Sequence, residues 1–539
     1  MKTRKLLPLL LLPSVAFLIV FFYYPVVLIL KDGLSLGALR GVLFNAYYRH
    51  VISFTVEQAI ASTLLTLLLG LPGAYIFAKY DFPGKRFVKA LLTVPFVMPS
   101  IMVALGFILL FGQDGLVTNL LGRDPGILYS WKGIILAHAF YNFPVVVRMV
   151  SSLWQRINPH YEEAAMSLGA RGFTLFRKVT LPMLYPGILA SAMLTFIFSF
   201  LSFSIPLIIG GYRYGTIEVA IFTEIMTLLD FRTGSALAVI QLSMSFIFMY
   251  LYLKSLELYS RAEEQRIFQK PLRLSPRDLL GVKGIAMLAY SFLVALFIVA
   301  PLFAVLYDSL TYGGHFTLQW YEHLIDSRYN PLFASDSLHA VGYTFLFGFS
   351  TVFLSLLVSL PLAYALGRWR FPGKRIFDAL VMLPLGSSAI VIGLGYIKAF
   401  HTGPLRLLGS PYLIVFAHTI IAYPFVLRAV SAALGKIKPS LREAAMSLGA
   451  GDLRAFLTVE LPLAAGGLLV GAIFAFAMSL AELGATYMIY IPKYTTVTIA
   501  IYSYLGARQF GPASAMAVVL MLVSLAGFLI IERTGEEVW

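Results

Sequence analysis

Two glutamates, Glu163 and Glu443, each open the same eight residues, EAAMSLGA, at Glu163 to Ala170 and at Glu443 to Ala450. Both copies fall in polar breaks between apolar stretches, where a carboxylate can be offered to a basic partner. Ala164, Ala165, Ala444 and Ala445 allow another surface to approach closely, and Gly169 and Gly449 permit backbone angles that other residues resist. The chemistry available there is recognition rather than bond-making. An amphipathic helix resting on lipid headgroups is the alternative, and duplication at an equivalent place favours a contact surface used once per copy.

A second kind of residue lies inside the apolar stretches. Glu482, within Ser479-Leu-Ala-Glu-Leu-Gly484, is an ionisable group where ionisation is costly, so it lines a pathway or meets a partner. Its counterpart 280 positions earlier is Ser202, which makes any path through Ser202, Ser479 and Glu482 asymmetric. A structural carboxylate bonded to nearby backbone and hydroxyls is the competing reading. His138 and His418 also stand 280 apart, and they read as helix-packing donors because no further ligand set converges on a metal. Asn142 and Gln241 read as interhelical hydrogen bonders, Lys398 as a side chain snorkelling to the outer surface, and Glu57 and Gln58 as interfacial. No metal site and no catalytic residue is expected. The chain has no Cys, which excludes disulfides and a thiol nucleophile.

The elements that must carry these residues follow from composition. Hydrophobic residues make up 59% of the chain, charged residues 12%, and the mean hydropathy is +0.84. These values specify an all-α integral membrane protein. Twelve apolar runs are long enough to span, at roughly 6–30, 53–79, 87–111, 132–152, 188–210, 235–257, 283–307, 341–367, 376–400, 411–432, 468–490 and 512–532. Lys2, Arg4 and Lys5 precede the first run, whose length and prolines mark a retained span rather than a cleaved leader.

The net charge of +15 is concentrated in short breaks, including Lys79, Lys85, Arg86 and Lys89 in one and Arg368, Arg370, Lys374 and Arg375 in another. Short basic loops mark the cytoplasmic side, so both termini and both EAAMSLGA segments are expected inside. No basic domain is large enough to hold a duplex, and nucleic acid is not expected as a partner.

The repeat extends far beyond eight residues. Phe82-Pro-Gly-Lys-Arg86 recurs as Phe371-Pro-Gly-Lys-Arg375 at an offset of 289, and from His138 onward the offset is 280. One nine-residue length difference in an outer loop accounts for the change. Two homologous six-span halves result, 1–257 and 282–539, joined by a charged linker over 258–281 that carries Arg261, Glu263, Glu264, Arg266, Lys270, Arg273, Arg277 and Asp278.

Within each half, Glu-Ala-Ala is followed after three residues by Gly, after nine more by Val, and after one more by Leu-Pro. This pattern resembles the EAA loop of permease subunits of binding-protein-dependent ABC importers. Val179 and Val459 stand where that family has Ile. A twelve-span chain with one loop per half is similar to the fused thiamine and ferric-iron permeases, with the type I importer fold. Gly133-Ile-Ile-Leu-Ala-His138, Asn142-Phe-Pro144 and Thr216-Ile-Glu-Val-Ala-Ile221 look most like the thiamine group.

The resemblance implies that Glu163, Ala164, Ala165 and Gly169, with Glu443, Ala444, Ala445 and Gly449, form coupling helices that dock on a dimer of ATPase subunits. An extracytoplasmic binding protein would deliver the solute, and the chain would sit in the cytoplasmic membrane. No cofactor is implied for this chain. It has no phosphate-cradling glycine loop, so ATP and Mg would belong to the partner. A duplicated secondary transporter driven by an ion gradient is the alternative of another class. A membrane enzyme is a third reading, for which no nucleophile and base or metal constellation is visible.

Overall fold

A computed structural model describes residues 3–85, 88–89, 91–92, 95, 98–211, 213–263, 272–273, 280–326, 337–369, 371–402 and 405–533. Arg86, Arg370 and the linker residues Glu264, Arg266, Lys270, Arg277 and Asp278 lie outside them.

Nine helices are long and apolar enough to cross a membrane, or eleven if two bent pairs each count as one span, among the described residues. Span 1 covers Leu11–Gly33, span 2 Ala46–Lys79, span 3 Ser100–Leu121, span 4 Trp131–Gln155, span 5 Gly172–Phe200, span 6 Phe231–Ala262, span 7 Val282–Ser309, span 8 Leu338–Arg368 and span 10 Pro411–Lys436. Span 9 bends by 98° between Lys374–Gly386 and Ala389–Phe400. Span 11 bends by 73° between Asp452–Leu463 and Ala465–Ala481. The twelfth expected run forms the helix Phe510–Arg533.

Span 3, expected over 87–111, forms Ser100–Leu121, and spans 5 and 11 depart from their expected boundaries in a way they share. Both begin earlier and stop earlier than hydropathy suggests: the helix from Leu181 ends at Phe200 and the one from Ala465 ends at Ala481. Each then resumes as a six-residue helix, Ser204–Ile209 or Gly484–Ile489. The apolar run continues across the break, so a hydropathy window passes over it.

The described chain groups into two compact units: residues 1–45, 220–242 and 308–539 form one, and residues 46–219 and 243–307 the other. This grouping differs from sequence order: span 1 and residues 220–242, where span 6 begins, group with second-half spans, and span 7 groups with first-half spans. In the first unit the Tyr23 hydroxyl donates to the Leu380 carbonyl at 2.8 Å, and Asp32 pairs with Lys398. In the second, the Tyr290 hydroxyl donates to the Leu69 carbonyl at 2.5 Å. There Gly106 lies so close to span 7 that an added Cβ would stand 2.8 Å from the Pro301 carbonyl oxygen. Small residues permitting such approach are how helices associate in lipid, where apolar burial gives no driving force.

Of the linker, Leu272 and Arg273 pair in parallel with Tyr80 and Asp81 just beyond span 2. Arg261 continues the helix of span 6, paired with Glu257 at 2.5 Å.

Candidate functional site

Asn158-Pro159 and Lys438-Pro439 start two matching nine-residue helices, Pro159–Ser167 and Pro439–Ser447. Proline at the first turn loses no hydrogen bond there, and the Asn158 side chain accepts from the His160 amide at 3.0 Å. Each helix ends on a left-handed glycine, Gly169 at φ 88° and Gly449 at φ 89°. Ala170 N–H then reaches back to the Ala165 carbonyl at 2.9 Å, and Ala450 to Ala445 at 3.1 Å. Neither helix buries a residue. Glu163 and Glu443 point outward, and Leu168 and Leu448 are 89% and 90% exposed. Tyr161, Met166 and Phe173 in one copy, and Leu441, Met446 and Leu453 in the other, extend the exposed apolar surface. An isolated surface Leu needs no explanation, whereas here an exposed apolar set surrounds an exposed carboxylate in both copies.

Behind each loop helix the chain makes one π-helical turn, Phe176–Thr180 or Phe456–Glu460, before its transmembrane helix continues. Single π turns in helices are frequent at functional sites.

The second candidate region is the break in span 11. Glu482 is buried, and its Oε1 accepts from the Ala485 amide at 2.8 Å. Its Oε2 accepts from the Thr486 amide at 2.8 Å and from the Thr486 hydroxyl. The carboxylate thereby satisfies the first amides of the resumed helix, which otherwise have no intrahelical partner. His418 lies alongside, with Nδ1 2.7 Å from Ser479 Oγ, Nε2 2.7 Å from Thr486 Oγ1 and Nε2 3.4 Å from Glu482 Oε2. Because the Thr486 hydroxyl donates to the carboxylate, the Nε2–H of His418 is the donor to Thr486 Oγ1. The Thr498 hydroxyl closes the set by donating to the Glu482 carbonyl at 2.8 Å.

The structure thus joins Ser479 and Glu482 through His418. Ser202 occupies the corresponding break in the other unit, between Phe200 and Ser204. There Ser62 Oγ lies 3.2 Å from His138 Nδ1, Asn142 donates to Ser199 Oγ at 3.2 Å, and Gln58 donates to the Ser199 carbonyl at 2.9 Å. His138 and Asn142 therefore act between helices as expected. Gln58, read from sequence as interfacial, is buried in this network. Lys398 pairs with Asp32 rather than standing alone at a surface. Among the described residues no three His, Cys, Asp or Glu side chains cluster as metal ligands.

Sequence reasoning passed over Glu218, which is fully buried just beyond the first break, where the second half has Thr498. The signal was present: Glu218 is a carboxylate within the short apolar run Ile217 to Phe222. It also passed over Glu162 and Arg442, whose partners only the folded chain brings near.

The family model described as binding-protein-dependent transport system inner membrane component matches residues 67–257 and again 355–534. A thiamine transport system permease protein of Brucella abortus (strain 2308) is 26% identical over 92% of this chain and 89% of its own length. A ferric transport system permease protein of Actinobacillus pleuropneumoniae is 28% identical over 95% of this chain and 74% of its own. A probable ABC transporter permease protein of Sinorhizobium fredii (strain NBRC 101917 / NGR234) is 27% identical over 89% and 86%. With two copies of the family's domain in its two halves and two bundles of membrane helices to carry them, the chain belongs to the binding-protein-dependent transport system inner membrane components.

Proposed function

We propose that the chain is a transmembrane permease subunit of an ATP-binding-cassette importer. It takes a small solute of the thiamine or ferric-iron class from an extracytoplasmic binding protein and passes it across the cytoplasmic membrane. A separate pair of ATPase subunits, holding ATP and Mg, drives it through Glu163, Ala164, Ala165 and Gly169 in one half and Glu443, Ala444, Ala445 and Gly449 in the other. Both termini and both loop helices lie on the cytoplasmic side, as the basic breaks require. Ser202, Ser479 and Glu482 mark the path at the two helix breaks, where discontinuous helices place polar groups inside a membrane protein.

The observation that carries this reading is the matched pair of short helices with nothing buried, each tipped by a leucine about nine-tenths exposed. Two matching surfaces suit a pair of like partners, and a carboxylate amid apolar knobs suits a basic-rimmed apolar cleft. The family membership leaves a gradient-driven secondary transporter without support. Reversing both charges, Glu163→Arg with Glu443→Arg, is expected to weaken co-purification of the ATPase subunits by at least about tenfold, or 1.4 kcal/mol. Undiminished co-purification and uptake would refute the docking assignment.

A further inference from the structure

Where each loop helix meets the membrane spans of its own half there is a polar junction, and the two junctions are built with different charges. In the first half, Lys79 at the end of span 2 lies 3.0 Å from Glu162 Oε2 on the loop helix. The hydroxyl of Thr180, at the entry to span 5, donates to Glu162 Oε1 at 3.0 Å. Glu162 thus ties the loop helix to two spans at once.

The duplication places Arg368, Arg442 and Glu460 at the positions of Lys79, Glu162 and Thr180. On the loop helix the sign is inverted: an arginine stands where the first half has a glutamate. Unaltered surroundings would set Arg442 against Arg368, and like charges in a part-buried site repel strongly. Two compensations are present. Glu460 supplies at the entry to span 11 the carboxylate that the loop helix has lost, and Arg368 Nη2 lies 2.6 Å from its Oε1. Asp452, where the first half has Gly172, receives Arg442 at 2.5 Å. Burial alone would lower the Arg442 pKa, but Asp452, with Tyr364 and Glu460 nearby, more than offsets it and raises it above its ordinary value. Among the described residues, the first junction pairs one cation with one anion and the second pairs two of each.

A surface ion pair contributes little and is easily lost. These pairs are different, because their side chains are at most about one-fifth exposed and Glu460 is fully buried. Removing one member would strand a charge away from water. Aromatic contacts back both junctions. Tyr75 of span 2 touches Trp154, which touches Phe176 of the π turn. In the second half Tyr364 meets Phe456 directly, with ring centroids 4.6 Å apart. Spans 4 and 10 are tied in as well: Gln155 of span 4 donates to the Phe77 carbonyl at 2.9 Å, and Arg368 donates to the Leu434 carbonyl of span 10 at 3.3 Å.

We propose that Lys79–Glu162–Thr180 and Arg368–Glu460 with Arg442–Asp452 are the mechanical links that carry displacement of each loop helix into spans 2 and 5 of the first half and 8 and 11 of the second. They are positioning residues. They face away from the exposed surface that carries Glu163 and Glu443, so their role is transmission rather than docking. The inference rests on the docking reading above, and its test keeps the two apart.

The absence of Cys makes engineered spin labels selective. In the complete complex in nanodiscs, one label pair at His160→Cys and Ser440→Cys, exposed on the loop helices but outside the docking set, reports the loop helices. A second pair at Tyr47→Cys and Leu338→Cys reports the far ends of spans 2 and 8. In the unaltered complex both distances are expected to shift when ATP and vanadate are added. With Lys79→Glu and Arg368→Glu the loop-helix shift should remain, while the population responding at the span pair falls by about tenfold. Exchanging partners, Lys79→Glu with Glu162→Lys and Arg368→Glu with Glu460→Arg, should restore it. A span response unchanged by the single-site changes would overturn the inference. So would failure of the exchanged pairs to restore the response in a complex of unaltered thermal stability. Absence of any loop-helix shift in the unaltered complex would instead defeat the docking reading on which the inference stands.

Discussion

Glu482 spends both carboxylate oxygens on the amides of Ala485 and Thr486, so its first role is to begin the helix Gly484–Ile489. That does not remove it from a path, because the same hydrogen bonds fix the carboxylate at the helix break, 3.4 Å from His418 Nε2. Glu482→Gln keeps one acceptor but turns an amino group toward a backbone N–H. The expected cost is roughly 1–2 kcal/mol, read as a lower thermal-unfolding midpoint. Glu482→Ala should cost more, and an equal midpoint for all three proteins would contradict the capping role. The sequence made this residue conspicuous and left its role open, since a carboxylate in an apolar run satisfies both a capping and a pathway reading. Glu162 and Arg442 illustrate the opposite limit. They stand next to the conspicuous Glu163 and Glu443, and only the approach of Lys79 and Asp452 distinguishes them.

Helices are where hydropathy is most and least informative. Spans 2, 4, 6, 7, 8 and 10 fall close to where their apolar runs begin and end, because about twenty apolar residues have few alternatives in a bilayer. The loop helices were equally legible, since proline at one end and glycine at the other punctuate them. The breaks after Phe200 and Ala481 were not, because bending leaves composition unchanged and the compensating group is a single side chain or backbone contact. Close helix contact was also hidden. Gly467 of span 11 sits against span 10 so tightly that an added Cβ would lie 2.3 Å from the Ala433 Cβ. Gly467→Val is therefore expected to destabilise this pair by about 1–3 kcal/mol, measured as a loss of thermal stability in detergent, whereas Gly435→Ala, with open space at its Cβ, should leave it unchanged. Similar stability for both variants would show that the two spans separate at that point.

At the level of the molecule, sequence order and packing divide the chain differently. The repeat is plain from the offsets of 289 and 280, yet span 1 belongs with second-half spans and span 7 with first-half spans. Periodicity could not reveal this, because a span exposes the same apolar surface to either set of neighbours. The exchange gives a physical reason for a fused chain: spans 1 and 7 each connect, through the backbone, material from both halves. We propose that ATP hydrolysis by partner subunits, received at two matching loop helices, drives solute inward through these spans. Uptake of radiolabelled thiamine and of ferric iron into proteoliposomes tests it most directly, using the chain with its ATPase subunits and binding protein, with and without enclosed ATP. Uptake of one of the two solutes only when ATP and both partners are present is the expected result; gradient-driven uptake by the chain alone, without ATP, would contradict it.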